Sequence, residues 1–251
     1  MKHFIAIMLT LQLFTTSFTV SSESVNYYVI AKQAMPFQIT TEDNQHTGIV
    51  SDIITKIFVD KYTINYHVYP FNRMISELEA GGEKNWITYG SPNWGSVQAE
   101  NLSDKPIYTV SHSILSNAKS DFSYTDISDI KDKVFILLYG FDYPTLQPYI
   151  DSGEIRELRV KDYAAAFRIL DKMPQDAIFI EMTSRIQYNL KIQSKDLNSY
   201  HLQDFSALIP TYPIYLALDP KMDSELQLFI NQQLSDLTAA GTLTEIISQY
   251  M

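Results

Sequence analysis

The feature that most narrows the fold is an alternation of two hydrophobic periods along a single chain. Val25 to Ala31 is β-branched and aromatic, and reads as a strand entering a turn at Met35-Pro36-Phe37. After the polar loop Thr40 to His46, Gly48 to Tyr62 sets Ile49, Ile53, Ile54, Ile57 and Phe58 at helical spacing. Thr63 to Tyr69 returns to strand alternation. Asn72 to Ala80 then carries Met74, Ile75 and Leu78 on one helical face and stops at Gly81-Gly82. A β-α-β-α order of this kind predicts a mostly parallel sheet with helices packed on it.

A second unit repeats the alternation. Ile127 to Ile130 reads as a helical turn, Val134 to Leu138 as a strand, Tyr143 to Ile150 and Asp162 to Met173 as helices. Ala177 to Ile180 is a short buried strand, followed by a helix from Met182 to Leu190. Ile209 to Leu218 is strand-like, but Pro210 and Pro213 interrupt its hydrogen bonding and suit a crossover. The chain closes with helices over Ser224 to Ala240 and Leu243 to Tyr250.

Composition excludes several classes. The 251 residues suffice for two lobes of ordinary size, and 29 acids against 19 bases give a net charge of −10. Nucleic acid rewards basic patches, and anionic membrane surfaces attract cationic segments, so neither is an expected partner. There is no cysteine, hence no disulfide, thiolate metal ligand or cysteine nucleophile. Met1-Lys2-His3, an apolar run from Phe4 to Phe14 and a small, polar stretch from Thr15 to Ser22 have the layout of a secretory leader. Residues 1–21 are therefore expected to be a cleaved signal peptide, with the cut after Thr19 or Ser21. The mature protein is expected to be periplasmic.

Several segments, taken in order, resemble the bacterial extracellular solute-binding proteins of family 3. Met35-Pro36-Phe37 is similar to that family's first-strand turn. Gly48-Ile49-Val50-Ser51-Asp52-Ile53 is similar to its G-x-x-x-D-[LI] helix start. Ser103-Asp104-Lys105-Pro106-Ile107-Tyr108 resembles its F-S-x-P-Y segment, and Ile127 to Val134 its D-L-K-G-K-x-V stretch. Leu226 to Tyr250, with Gly241-Thr242-Leu243, resembles its closing helices. The resemblance implies an α/β, two-lobed type II periplasmic-binding-protein fold, each lobe a mostly parallel sheet flanked by helices, joined by two hinge crossings. Lobe one would be 22–108 plus 212–251, and lobe two 109–211. It also implies capture of a small polar, amino-acid-like ligand for an inner-membrane ABC permease or a sensor receptor, by a monomer without cofactor or metal.

Carrying the family's pocket over residue by residue gives a set of candidates. The family's lobe-two amine ligand, an acid five positions after the aspartate of its D-A strand, falls on Glu181 after Asp176-Ala177. Gly140 falls where the family's strand turns into an anion-holding helix start, but Phe141-Asp142 follow, and Asp142 would compete by capping that helix. The family's carboxylate-binding arginine falls on Ser96, which lacks the bidentate donor pair. Arg73, in Tyr69-Pro70-Phe71-Asn72-Arg73, resembles a P-x-x-R subgroup and would compensate; the alternative is a salt bridge to Glu77. Tyr89, Ser91 and Trp94 belong to the loop lining lobe one's cleft, with Phe37 opposite, although Trp86 and Tyr89 equally suit a packed strand.

Catalysis is the competing class, because enzymes share this fold. Glu181 with His112 or His201 is the pair available for acid–base work, yet no HExxH, GxSxG or paired-histidine spacing occurs. No catalytic residue is assigned.

Overall fold

The computed structural model describes residues 23–251, so the expected leader, 1–21, lies outside the described residues. In chain order the elements are β1 (Ser24–Ile30), the short pair β2 (Ile39–Thr40) and β3 (His46–Thr47), α1 (Ile49–Phe58), β4 (Thr63–Tyr69), α2 (Phe71–Glu79), β5 (Trp86–Gly90) and β6 (Tyr108–Val110). Then come β7 (His112–Asn117), β8 (Val134–Leu138), α3 (Gln147–Asp151), β9 (Arg156–Val160), α4 (Tyr163–Lys172), β10 (Ala177–Met182), α5 (Thr183–Ile192) and β11 (Tyr200–Asp204). β12 (Tyr212–Leu218), α6 (Ser224–Ala239) and α7 (Thr242–Tyr250) complete the chain.

Two five-stranded sheets result, ordered β4-β1-β5-β12-β6 and β11-β7-β10-β8-β9. In the first, β4, β1 and β5 are parallel, and β12 runs antiparallel to both β5 and β6. In the second, β10, β8 and β9 are parallel, and β7 is antiparallel to β10 and β11. Each sheet therefore has one reversed strand among co-directional neighbours. The chain passes between sheets twice, through Ser111 between β6 and β7 and through residues 205–211 between β11 and β12. Both reversed strands, β7 and β12, begin at these crossings. The two-lobed α/β architecture is as the resemblance implied.

Local chemistry explains the resembling motifs. Gly48 precedes α1 at φ 107°, and a Cβ there would lie 2.7 Å from the Phe37 carbonyl oxygen, so only glycine fits comfortably. The first helical amides, Ile49 and Val50, donate to the carbonyls of Pro36 and Phe37. Asp52 accepts from the Tyr250 hydroxyl, which in turn accepts from the Gly48 amide at 2.8 Å. The G-x-x-x-D segment thus locks α1 to the C-terminal helix.

Three sequence expectations shift. The helix expected over Tyr143 to Ile150 starts at Gln147, because Tyr143 turns inward to accept the Leu138 amide at 3.1 Å and Pro144 disfavours helical geometry before it. The terminal strands β9 and β11 carry Arg-Glu-Leu-Arg-Val and Tyr-His-Leu-Gln-Asp, edge sequences too polar to show a buried period. Ile209 and Pro210 stay outside β12, whose Pro213 sits opposite Thr109.

Gly90, at the end of β5, leaves no room for a side chain: an added Cβ would stand 1.9 Å from the Gln98 carbonyl oxygen. Gly90→Ala must displace backbone that positions the Trp94 loop. It is expected to cost roughly 3 kcal/mol in chemical denaturation, at the upper end of overpacking effects.

Candidate functional site

A cavity of about 720 Å³ lies between the two sheets and is lined by side chains of both. Strand ends and helix starts supply its walls. From sheet one come Tyr89 at the end of β5, the loop Asn93 to Ser96, Phe71 and Asn72 at the start of α2, and Tyr212 at the start of β12. From sheet two come His112 at the start of β7, the turn Tyr139 to Thr145 after β8, Glu181 at the end of β10, and Arg185 in the first turn of α5.

The lobes touch across this space. Phe71 and Phe141 stack at 4.8 Å, and Gln33 donates to the carbonyls of Tyr139 at 3.3 Å and Lys161 at 3.0 Å. Deeper in, the Arg185 guanidinium reaches from α5 to donate to the Tyr89 hydroxyl at 2.9 Å. It also lies 5.7 Å from the Phe37 ring and 5.1 Å from the Phe141 ring, one aromatic from each lobe.

Arg185 is 2% exposed and Glu181 3%. Their nearest charged atoms stand 3.5 Å apart, and Glu181 also accepts the Met182 amide at 2.7 Å. Burial pushes the Glu181 carboxyl above its ordinary range, against the opposing pull of Arg185. His112 is 7% exposed; burial, then the Arg185 charge, lowers its pKa to about 4. It is therefore neutral near pH 7. Two buried polar atoms facing this region have no hydrogen-bond partner, Arg185 Nε and His112 Nδ1.

An aromatic chain connects lobe one to these groups. Trp94 is edge-on to Tyr89 at 5.6 Å and donates its indole N–H to the Tyr212 hydroxyl at 3.1 Å. Tyr212 in turn faces the His112 ring at 5.7 Å.

Of the residues expected from sequence, Tyr89, Trp94, Ser96, Gly140, Phe141 and Glu181 line the cavity. Phe37 is fully buried one layer behind, stacked on Tyr89 at 5.8 Å. Ser91 is buried and donates to the Pro213 carbonyl at 2.9 Å. Arg73 has a 65% exposed side chain, 3.5 Å from Glu77 and stacked on Tyr69, and does not line the cavity. The P-x-x-R segment contributes Phe71 and Asn72 to the wall instead. Gly140 sits at φ 95° in a turn, seven residues before α3, so no helix start faces the cavity there. A reading by motif passes over Arg185, although its four-residue spacing from Glu181 is visible in the chain. Among the described residues no cluster of His, Asp or Glu is placed to hold a metal.

No family model and no curated protein matches this chain. Solved structures do. The ligand-binding core of GluR0 in complex with L-glutamate superposes with a TM-score of 0.71 at 15% identity, over 92% of this chain and 99% of that one. The substrate-binding protein of an amino acid ABC transporter gives 0.69 at 14%, over 91% and 99%. A histidine kinase sensor domain similar to periplasmic binding proteins gives 0.69 at 16%, over 91% and 96%. Likeness at such identities establishes the fold, and the chain has the two-lobed periplasmic-binding-protein fold. Among the described residues no helix is long and apolar enough to cross a membrane.

The buried pair predicts an asymmetric mutational response. Arg185→Met leaves a carboxylate without its partner and is expected to cost about 3 kcal/mol in urea unfolding. Adding Glu181→Gln to that variant should recover most of the loss. His112 gives a pH signature of the same sign as a paired carboxylate, displaced to higher pH by its ordinary pKa. Its folded pKa, about 4, lies below the ordinary 6.5, so its contribution is intact above pH 6.5 and lost as pH falls toward 4. The full span is about 3 kcal/mol, and a stability–pH profile of His112→Phe should lack that decline.

Proposed function

We propose that this chain is a periplasmic solute-binding protein that closes its two lobes around a small polar, amino-acid-like ligand. The observation that carries this reading is the cavity itself: both lobes build its walls, and buried charged and aromatic groups converge on it. Interlobe clefts of this size are where small molecules bind, and hinge closure removes them from water. Capture needs no chemistry at the ligand, and the proposal assigns no catalytic residue. The lobes are proposed to be 22–108 plus 212–251, and 109–211, with the leader 1–21 directing export. The closed monomer would be presented to an inner-membrane ABC permease, and the P-x-x-R segment would mark a variant group within family 3 solute-binding proteins.

Sensing is the second reading, favoured by the likeness to a histidine kinase sensor domain. It uses the same closure with a different membrane partner, and the cleft is common to both.

A thermal-shift panel of amino acids, small carboxylates, polyamines and short peptides tests capture, because a ligand of the folded form raises the midpoint. The two tryptophans then report closure separately. Trp86 is buried in the lobe-one core, and Trp94 lines the cleft. A true cleft ligand should shift the emission of wild type and of Trp86→Phe but leave Trp94→Phe unchanged. A hit that leaves wild-type emission untouched argues against binding in the cleft, and product formation in mass spectrometry would replace capture by catalysis.

A further inference from the structure

We infer that Arg185 and His112, both carried by the second lobe, hold a carboxylate of the ligand. This rests on the capture reading above and assigns the polarity of the site.

The argument begins with unspent donors. A guanidinium has five N–H groups in a fixed fork. Arg185 uses one well, on the Tyr89 hydroxyl at 2.9 Å. Its approach to Glu181, 3.5 Å, is well beyond the ~2.7–2.9 Å of a good charge-assisted bond. Its Nε has no acceptor although the residue is 2% exposed. His112 Nδ1 is in the same state, buried at 7% exposure with no partner. Buried polar atoms without partners are few in folded proteins and call for an explanation. Here both belong to residues lining one cavity. With Nδ1 protonated, the neutral imidazole donates without adding a charge that would itself need compensation.

The other cations do not compete. Arg159 lines the cavity, but it is already paired with Glu157 at 2.8 Å, its Nη1 donates to the Phe141 and Leu138 carbonyls at 2.7 and 3.3 Å, and its side chain is 26% exposed, so water can serve its remaining donors. Arg73 is outside, paired with Glu77. On lobe one, Ser96 is exposed and donates to Glu79. The anion-binding capacity therefore resides on lobe two.

Helix position adds a second line. Arg185 occupies the first turn of α5, the positive end of the helix dipole, which disfavours a cation and favours an anion beside it. A ligand carboxylate against Arg185 relieves that conflict, fills the Nε position and reaches His112. Because Arg185 also touches Tyr89 and Phe37 of lobe one, the anion would be gripped by a side chain that is itself part of the closure.

The test compares acids with their amides. Isothermal titration of each thermal-shift hit among the L-amino acids and small monocarboxylates is set against its primary amide on the wild-type protein. The expected result is a loss of roughly a hundredfold in affinity for the amide, as for a buried charge pair deprived of one partner. Arg185→Lys, which keeps the charge but loses the fork, should weaken the acid by at least about tenfold and leave the weak amide unchanged. His112→Phe, which keeps the ring against Tyr212, should cost the acid several-fold. An amide that binds as tightly as its acid overturns the assignment while capture stands. Acid binding unaltered in Arg185→Lys does the same. A panel in which no compound binds wild type overturns capture and this assignment together. Since the acid–amide comparison needs no variant, the inference remains falsifiable if Arg185→Lys does not fold.

Discussion

The contact between the two lobes centres on a single buried arginine. Arg185 leaves lobe two, bonds the Tyr89 hydroxyl of lobe one, lies near the Phe37 ring and faces Glu181 on its own lobe. Removing a guanidinium from water is costly, and a lone carboxylate at 3.5 Å offsets only part of that cost. The surrounding rings supply a weaker, non-directional share of the compensation. Much of the cleft can be understood as the environment this one side chain needs. The aromatic density of Phe37, Tyr89, Phe141 and Tyr212, and the neutral state of His112, all belong to it.

Backbone geometry brings those groups together. The reversed strands β7 and β12 begin at the two crossings, which sets His112 and Tyr212 side by side at 5.7 Å. β5 delivers Tyr89 and then must turn sharply, which Gly90 permits by its lack of a Cβ against the Gln98 carbonyl. β10 ends at Met182, one residue past Glu181, and α5 starts at once, so the acid and the arginine four residues later share one wall. The site is thus assembled from strand ends and helix starts, where side chains project beyond the sheets into the gap.

The lobes, most helices and the inner strands were legible in the chain because their apolar periods are strong: Ile49 to Phe58 and Ala166 to Leu170 face cores on one side only. β9 and β11 were not, because edge strands need no continuous buried face. The site was half legible. Glu181, Tyr89, Trp94 and Phe141 follow from motif position. The arginine did not, and the reason is instructive. Arg73–Glu77 and Glu181–Arg185 present the same four-residue spacing, with opposite polarity. One pair is open to water on the outer face of α2, and the other is sealed between lobes. Spacing encodes adjacency on a helix, whereas burial depends on what the rest of the chain places against that face. Similarly, Gly140 marks the turn after β8, but whether a helix follows is decided by the inward rotation of Tyr143.

The same energetics bear on the lobe closure proposed above. A buried ion pair is close to neutral in its net contribution, because desolvation and attraction nearly cancel. Opening the lobes would rehydrate Arg185 and Glu181 while losing the Tyr89 bond and the Phe71–Phe141 stack, each of them a modest term. Open and closed forms built this way differ by little, and a ligand can shift only as much equilibrium as its differential affinity for the two forms. A strongly apolar interface would hold the lobes shut without a guest; an interface with an under-satisfied charge at its centre leaves the decision to whatever supplies the missing acceptors. On the capture reading proposed above, the imperfect pairing of Arg185 would make closure conditional on the guest.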